Sequence, residues 1–338
     1  MKYRSLGNSG IDASVIGLGT WAIGGWMWGG TREREAIDAI HTAIDNGVNL
    51  IDTAPIYGFG QSEEIVGKAI KNRRDEVVLA TKCGLIWHEE KGELFFKSDE
   101  QTKRDDGNIN IYKYLGPEMI RYEIEESLKR LQTDYVDLYQ THWQESTTPV
   151  SETMEALMDL KAEGKIRAIG CSNATPSQMD EYRKYGDLDA DQELYSMLDR
   201  EQENSNLPYV AENNMAFLAY SPLAQGLLTG KVGPERTFEE GDQRRESERF
   251  SVENRKRVLH MLEQFQPIAD EHGVSMAQLT LAWTFSQHGC SHVLAGARNP
   301  KQAKENAAAG DVELSDDELR EMDKIIEDYC LAISSSRA

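Results

Sequence analysis

The chain has 338 residues, 39% of them hydrophobic and 28% charged, which is the profile of a soluble globular protein with material for a large core. A formal net charge of −21 disfavours a nucleic-acid partner and obliges any anionic ligand to find a local basic pocket. No stretch approaches the roughly 18 apolar residues of a membrane span, and MKYRSLGNSG lacks a signal-peptide core. Cys83, Cys171, Cys290 and Cys330 form no CxxC pair, so a cytoplasmic location is expected.

In chain order, KYRSLGNSGIDAS reads as a hairpin turning at Gly-Asn-Ser-Gly. A short strand at 15–18 leads into Gly17-Leu-Gly19-Thr-Trp-Ala22. That run fits a dinucleotide fingerprint, but further glycines follow where a helix should start. An amphipathic helix is expected over 31–46 with Thr31 as its cap, then a strand at 48–51, a loop with Asp52 and Tyr57, and a helix from Ser62. Strands at 77–81, 135–141 and 166–171 alternate with helices near 117–131, 150–162 and 176–185. A strand at 216–220, helices over 255–272 and 276–286, a strand at 292–295 and a helix from Ser315 complete the series. Polar excursions are expected at 86–113 and 231–253.

Alternating strands and helices argue a parallel sheet, and their spacing argues a closed one. Asp52 to Lys82 is 30 residues, as is His142 to Ser172. A (β/α)₈ barrel allots about 30 residues to each strand–helix unit. The expected architecture is therefore one α/β domain over 1–338, a (β/α)₈ TIM barrel with an N-terminal β-hairpin and long βα loops. Polar residues at strand ends meet in one mouth of such a barrel, bringing together Asp52, Tyr57, Lys82 and His142. A lysine ammonium ~4 Å from a phenolate is worth about 4 kcal/mol at an effective dielectric of 20. This favours the phenolate by up to about three pKa units before desolvation opposes it. Asp52 would hold Lys82, and His142 would bond the substrate carbonyl or share the proton with Tyr57. Lys82 has a rival reading as a Schiff-base nucleophile of an aldolase. His288, Cys290 and His292 alternate but have no carboxylate partner motif, so no metal site is expected.

LIDTAPIYGFGQSEEIVGKAI, VVLATK, SLKRLQTDYVDLYQTHW and GKIRAIGCSN together resemble the aldo-keto reductase superfamily, with GLGTW and ENAAAG marking the ends of the likeness. The pattern is similar to the bacterial branch of general and sugar aldehyde reductases, and to potassium-channel β subunits. The resemblance implies a barrel that binds NADPH in extended form, with NADH use possible. It assigns Asp52, Tyr57, Lys82 and His142 as the catalytic residues. Gly19, Thr20, Trp21 and Asp52 would lie beside the coenzyme, with Ser172, Asn173 and Gln192 on its carboxamide and Tyr220 stacked on the nicotinamide. Ser221, Leu223, Gln225, Gly226 and Leu228 would border the pyrophosphate. Gly296 and Arg298 would approach the adenosine phosphate, and Gln302, Glu305 and Asn306 the ribose and adenine. Trp21, Tyr57, His142 and Trp143 would wall the substrate pocket, Trp26 and Trp28 being open to either pocket or core. Arg244 and Arg245 are further coenzyme candidates.

The implied activity is NAD(P)H-dependent reduction of aldehydes, ketones or aldose sugars, with Tyr57 as general acid and a small carbonyl compound as partner. A coenzyme-sensing regulatory subunit with slow turnover is the alternative. Departures from the better-known pattern are Gln302 in place of an arginine, Gly296-Ala297 in place of a lysine-serine pair, and Gln144-Glu145 after His142-Trp143.

Overall fold

The computed structural model describes residues 1–97 and 109–329. Its strands are β1 (Tyr3–Ser5), β2 (Asp12–Ser14), β3 (Ile16–Gly19), β4 (Leu50–Asp52), β5 (Val78–Cys83), β6 (Leu85–Ile86), β7 (Glu93–Lys97) and β8 (Asn110–Lys113). There follow β9 (Val136–Thr141), β10 (Ile166–Ser172), β11 (Ala190–Leu194), β12 (Ala216–Tyr220) and β13 (His292–Gly296). The helices are α1 (Glu33–Asp45), α2 (Gln61–Ile70), α3 (Pro117–Leu131), α4 (Val150–Ala162), α5 (Pro176–Arg183) and α6 (Asn206–Glu212). The later ones are α7 (Val252–Gln264), α8 (Gln266–His272), α9 (Met276–Ser286), α10 (Pro300–Ala308) and α11 (Asp316–Tyr329).

Strands β3, β4, β5, β9, β10, β11, β12 and β13 form a closed parallel barrel, sealed where β13 pairs with β3 through Val293↔Ile16 and Gly296↔Gly19. Both faces of these strands are covered, and β5, β9 and nearly all of β10 are buried. Outward residues such as Leu79, Tyr139 and Ile169 join the helix-facing core. Inward residues Leu50, Val78, Ala80, Leu138, Ala168, Ala190, Leu218 and Leu294 form a separate core inside the barrel. Leu6 and Ile11, from the β1–β2 turn, belong to that inner core and plug its N-terminal end. Among the described residues no helix is long and apolar enough to cross a membrane.

The expected barrel and hairpin are present, with several boundaries corrected. Lys82 lies within β5 rather than after it, paired with Gln140 of β9. Thr31 does not cap α1: Arg32 is the N-cap and makes no side-chain cap bond. The single helix expected over 255–272 is two, because Pro267 in the first turn of α8 lacks the N–H that continuation of α7 needs. The insert after β5 is not merely a polar excursion. β6, β8 and β7 pair antiparallel into a three-stranded flap, while its 98–108 portion falls outside the described residues. Strand β11, ADQEL, carries too little apolar signal to be legible, because its acidic side chains are buried against hydrogen-bond donors.

Candidate active site

Side chains alternate along a strand, so stepping by two from the inner core reaches the residues at the barrel mouth. Leu50 leads to Asp52, Ala80 to Lys82, Leu138 to Gln140, Ala190 to Gln192 and Leu218 to Tyr220. The barrel thus changes from apolar to polar within one layer. Lys82, fully buried, donates to Asp52 Oδ2 at 2.7 Å, the Thr53 carbonyl at 2.9 Å and the Tyr57 hydroxyl at 3.2 Å. Asp52 Oδ1 accepts from Gln192 Nε2 at 2.9 Å and from Gln140 Nε2 at 3.3 Å.

Tyr57 reaches this group from the β4–α2 loop because that loop lies directly on the β3–α1 loop. A Cβ on Gly58, whose φ is +70°, would meet the Gly24 carbonyl oxygen at 2.1 Å. A Cβ on Gly24 would meet the Tyr57 carbonyl oxygen at 2.5 Å. Ser62, at the start of α2, ties the same loops together through Thr20 Oγ1 at 2.7 Å and Thr53 Oγ1 at 2.9 Å. The His142 ring stands edge-on to Tyr57 with centroids 5.8 Å apart, and its backbone N–H donates to the Cys83 carbonyl at 2.8 Å.

Burial governs the charge states. It raises the Tyr57 phenol well above its ordinary value, with Asp52 acting in the same direction. The lowering anticipated from Lys82 is therefore overridden in the free protein. Burial lowers His142 well below the usual histidine range, reinforced by the Lys82 charge, so the imidazole is neutral. It also lowers Lys82, with Asp52 opposing.

A cavity of about 540 Å³ runs from this group across the barrel mouth. One end has an aromatic and apolar wall of Trp21, Trp26, Ile56, Phe95, Phe96 and Trp143. Along the middle, Tyr220 donates to Asn173 Oδ1 at 2.9 Å, and Asn173 Nδ2 donates to the His142 carbonyl at 3.0 Å and Ser172 Oγ at 3.1 Å. Beyond β12 the backbone takes positive φ at Ser221, Ala224, Gln225 and Gly226. Such alternation of hand gathers N–H groups into anion-binding concavities. Lys231, Arg236 and Arg244 line the same stretch, Arg244 held by Asp242 at 2.6 Å. At the far end Gln302, Glu305 and Asn306 of α10 face the cavity, with Lys231 Nζ 2.6 Å from both Glu305 carboxylate oxygens.

Of the residues expected at the coenzyme, Gly19, Thr20, Trp21, Asp52, Ser172, Asn173, Gln192, Tyr220, Ser221, Leu223, Gln225, Gly226, Gly296, Arg298, Gln302, Glu305 and Asn306 line this cavity. Leu228 does not: it is fully buried in the helix-facing core. Trp21, Tyr57, His142 and Trp143 line the aromatic end, where Trp26 and Trp28 join them. Lys82 stands behind Tyr57, outside the wall. Arg298 is not a free cation, since its guanidinium donates to the carbonyls of Trp28 at 3.1 Å and Gly30 at 2.5 Å. Arg244 lines the cavity, and Arg245 pairs instead with Glu246. Gln144 and Glu145 brace loops rather than line the wall, bonding Ser172 O and the Leu115 N–H respectively. Sequence reasoning missed Phe95 and Phe96, whose adjacent aromatics in ELFFK were the available signal, and Gln140, two residues before His142.

Over residues 15–327 the chain matches the model of the aldo/keto reductase family. It is 45% identical over 336 residues to the NADH-specific methylglyoxal reductase of Escherichia coli (strain K12), covering 97% of this chain and 100% of that protein. Among solved structures it is similar to the glycerol dehydrogenase AKR11B4 from Gluconobacter oxydans, with a TM-score of 0.86, 35% identity, and 99% and 98% of the two chains covered. An aldo/keto reductase from Klebsiella pneumoniae in complex with NADP and acetate aligns with a TM-score of 0.72, 28% identity and 96% of each chain.

Proposed function

The chain belongs to the aldo/keto reductase family, and from that premise we propose that it reduces small uncharged aldehydes and ketones with NADH, with Tyr57 as the proton donor. The observation that carries the reading is the hydrogen-bonded line from Asp52 through Lys82 to the Tyr57 hydroxyl, opening on a cavity with room for an extended dinucleotide. A bound dihydronicotinamide supplies hydride from its C4 carbon.

Tyr57 enters the reaction protonated, as burial dictates, and gives its proton to the carbonyl oxygen. The Lys82 ammonium then stabilises the phenolate left behind, and Asp52 keeps that ammonium charged and in place. His142, neutral, donates a ring N–H to the same carbonyl oxygen. Tyr220 offers a flat face to the nicotinamide, while Ser172, Asn173 and Gln192 supply polar atoms for its carboxamide. Ser221, Leu223, Gln225 and Gly226 would border the pyrophosphate, with Arg236 beside them and Lys231 and Arg244 engaged by Glu305 and Asp242. The same geometry argues against a Schiff-base role for Lys82, whose nitrogen is buried and occupied by three acceptors.

Substrate class follows from the aromatic end. Trp21, Trp26, Phe95, Phe96 and Trp143 present no charge to pair with a carboxylate or phosphate, which favours neutral carbonyl compounds. Methylglyoxal, on which the Escherichia coli relative is named as acting, has that character. Coenzyme choice follows from the far end. With its fork held by two backbone carbonyls, Arg298 offers less to a 2′-phosphate than a free arginine would. Lys231 there is paired with Glu305 and so adds no unpaired cation for a 2′-phosphate. NADPH is thus the lesser coenzyme, and the name of the relative just cited agrees with that ranking.

The test is steady-state turnover on a panel of neutral aldehydes, ketones and aldoses, and on keto acids and sugar phosphates, with each coenzyme. A kcat/KM for NADH at least about tenfold above that for NADPH is expected, about 1.4 kcal/mol of discrimination. The reverse ratio overturns the coenzyme assignment, and absence of turnover on every carbonyl overturns the enzymatic one.

A further inference from the structure

We infer that Gln140 is a positioning residue for carbonyl reduction: with Gln192 it fixes the Asp52 carboxylate, and through it the Lys82 ammonium against Tyr57. This rests on the reading of Tyr57 as proton donor, and it assigns a function to a residue that contributes nothing to the cavity wall.

Gln140 is fully buried inside the barrel, on β9, directly opposite Lys82 of β5 in the strand register. Its amide makes two contacts in the polar layer. Nε2 donates to Asp52 Oδ1 at 3.3 Å, and Oε1 accepts from Gln192 Nε2, also at 3.3 Å. Gln192 Nε2 in turn donates to Asp52 Oδ1 at 2.9 Å. Three side chains from three strands thus close a ring of hydrogen bonds on one oxygen of Asp52. The other oxygen is left to Lys82 at 2.7 Å. Gln192 alone would still bond Oδ1, but its own amide is oriented by Gln140; the closed ring leaves the carboxylate one orientation, and Lys82 one place to sit.

The neighbouring strand makes room for this brace. Gly170 of β10 pairs with Gln140, and a Cβ on Gly170 would meet Gln140 Cγ at 2.9 Å, with the Ala190 carbonyl oxygen 3.2 Å away on the other side. An alanine there would crowd the amide side chain from its seat. A buried amide is also costly unless both of its ends are satisfied, which the ring accomplishes. An apolar residue such as leucine fits the adjacent inner-core chemistry better, so a glutamine in this layer needs a polar reason.

The experiment uses the full-length protein with Gln140→Leu, Gln140→Glu and, in parallel, Tyr57→Phe. Each is assayed for kcat, KM and coenzyme Kd across pH, with a thermal melt to verify folding. Gln140→Leu removes one hydrogen bond to a charged group, so kcat is expected to fall about tenfold to a hundredfold while coenzyme Kd moves less than about threefold. Gln140→Glu is the decisive variant. Its introduced carboxyl can donate to Asp52 Oδ1 when protonated, and it sets a second negative charge beside Asp52 when ionised. Its turnover should approach that of the parent at acid pH and fall relative to the parent as pH rises, an added limb in the ratio of the two profiles. A merely structural role lowers stability without adding that limb.

If both Gln140 variants keep the parent kcat and pH profile while Tyr57→Phe is inactive, the positioning role is overturned and the proton-donor reading stands. If Tyr57→Phe turns over like the parent, the proton-donor reading itself falls, and the inference with it.

Discussion

A phenol makes a good proton donor near neutrality only if it is protonated before the reaction and tolerable as an anion after it. Burial of Tyr57 beside Asp52 satisfies the first condition, and the Lys82 ammonium 3.2 Å away satisfies the second. The two act at different moments. The raised phenol describes the resting protein, whereas the ammonium acts on charge that develops during transfer. Tyr57→Phe removes the proton and little else, since the ring keeps its place beside Trp21 and His142. Reduction should fall at least about a hundredfold to ten-thousandfold, the usual worth of a general acid, with coenzyme Kd nearly unchanged. Turnover like that of the parent in a folded variant would remove Tyr57 from the chemistry. Asp52, Tyr57, Lys82 and His142 were legible in the sequence because strand spacing and motif agreed on them. The direction of the Tyr57 shift was not, because it depends on how completely the loop buries the ring. Gln140 stayed hidden for a related reason: a glutamine in a buried strand carries no signal until its neighbours across the sheet are known.

At the scale of elements, the flap formed by β6, β7 and β8 decides how the aromatic end is closed. Its root is Gly84, whose N–H donates to Glu123 Oε2 of α3 at 2.7 Å. Its outer edge is latched to the loop after β9, where Glu93 accepts from the Ser146 N–H at 2.8 Å and pairs with Lys113 at 2.9 Å. Glu123 is buried among Cys83, Glu63 and Arg130, and burial pushes its carboxyl up to about 8. A group whose folded-state pKa is raised holds a proton that the unfolded chain has already released. Its contribution to stability is present below the unfolded value of 4.5 and is lost as pH rises through about 8. Glu123→Gln keeps an acceptor for Gly84 and cannot ionise. Its melting temperature should therefore fall less between about pH 6 and pH 9 than that of the parent, which gives up on the order of 3 kcal/mol over that range through this group. Melting curves that shift in parallel with pH would show that Glu123 carries no such ionisation. Flap and β11 were the elements least visible in the sequence. Flap pairing joins segments on either side of a long polar run, and β11 owes its burial to partners such as Asn206 rather than to apolar residues.

At the scale of the molecule, the barrel separates stability from chemistry along its axis. The C-terminal ends of the strands carry the cavity and the Asp52–Lys82 pair, and the N-terminal ends are closed by the hairpin plug, with buried Asp137 there tied to Arg74 and Arg167 on the outside of the barrel. The overall charge is strongly negative, and the cavity is lined by Lys231, Arg236, Arg244 and Arg298, of which Lys231 and Arg244 are paired with Glu305 and Asp242. Leu6 tests the separation. It is fully buried at the tip of the hairpin and packs into the inner core beneath the polar layer, with its N–H held by the Ile11 carbonyl at 2.7 Å. Leu6→Ala leaves a cavity where collapse is limited by the barrel wall, so a loss of about 2–5 kcal/mol is expected on unfolding by denaturant. Because no part of the plug touches the mouth, kcat and coenzyme affinity at a temperature where the variant is folded should match the parent within about twofold. A variant that kept its stability would show that the plug is not part of the core. One that lost kcat in proportion to its stability would show that packing beneath the polar layer sets the position of Asp52 and Lys82 as surely as the hydrogen bonds within it.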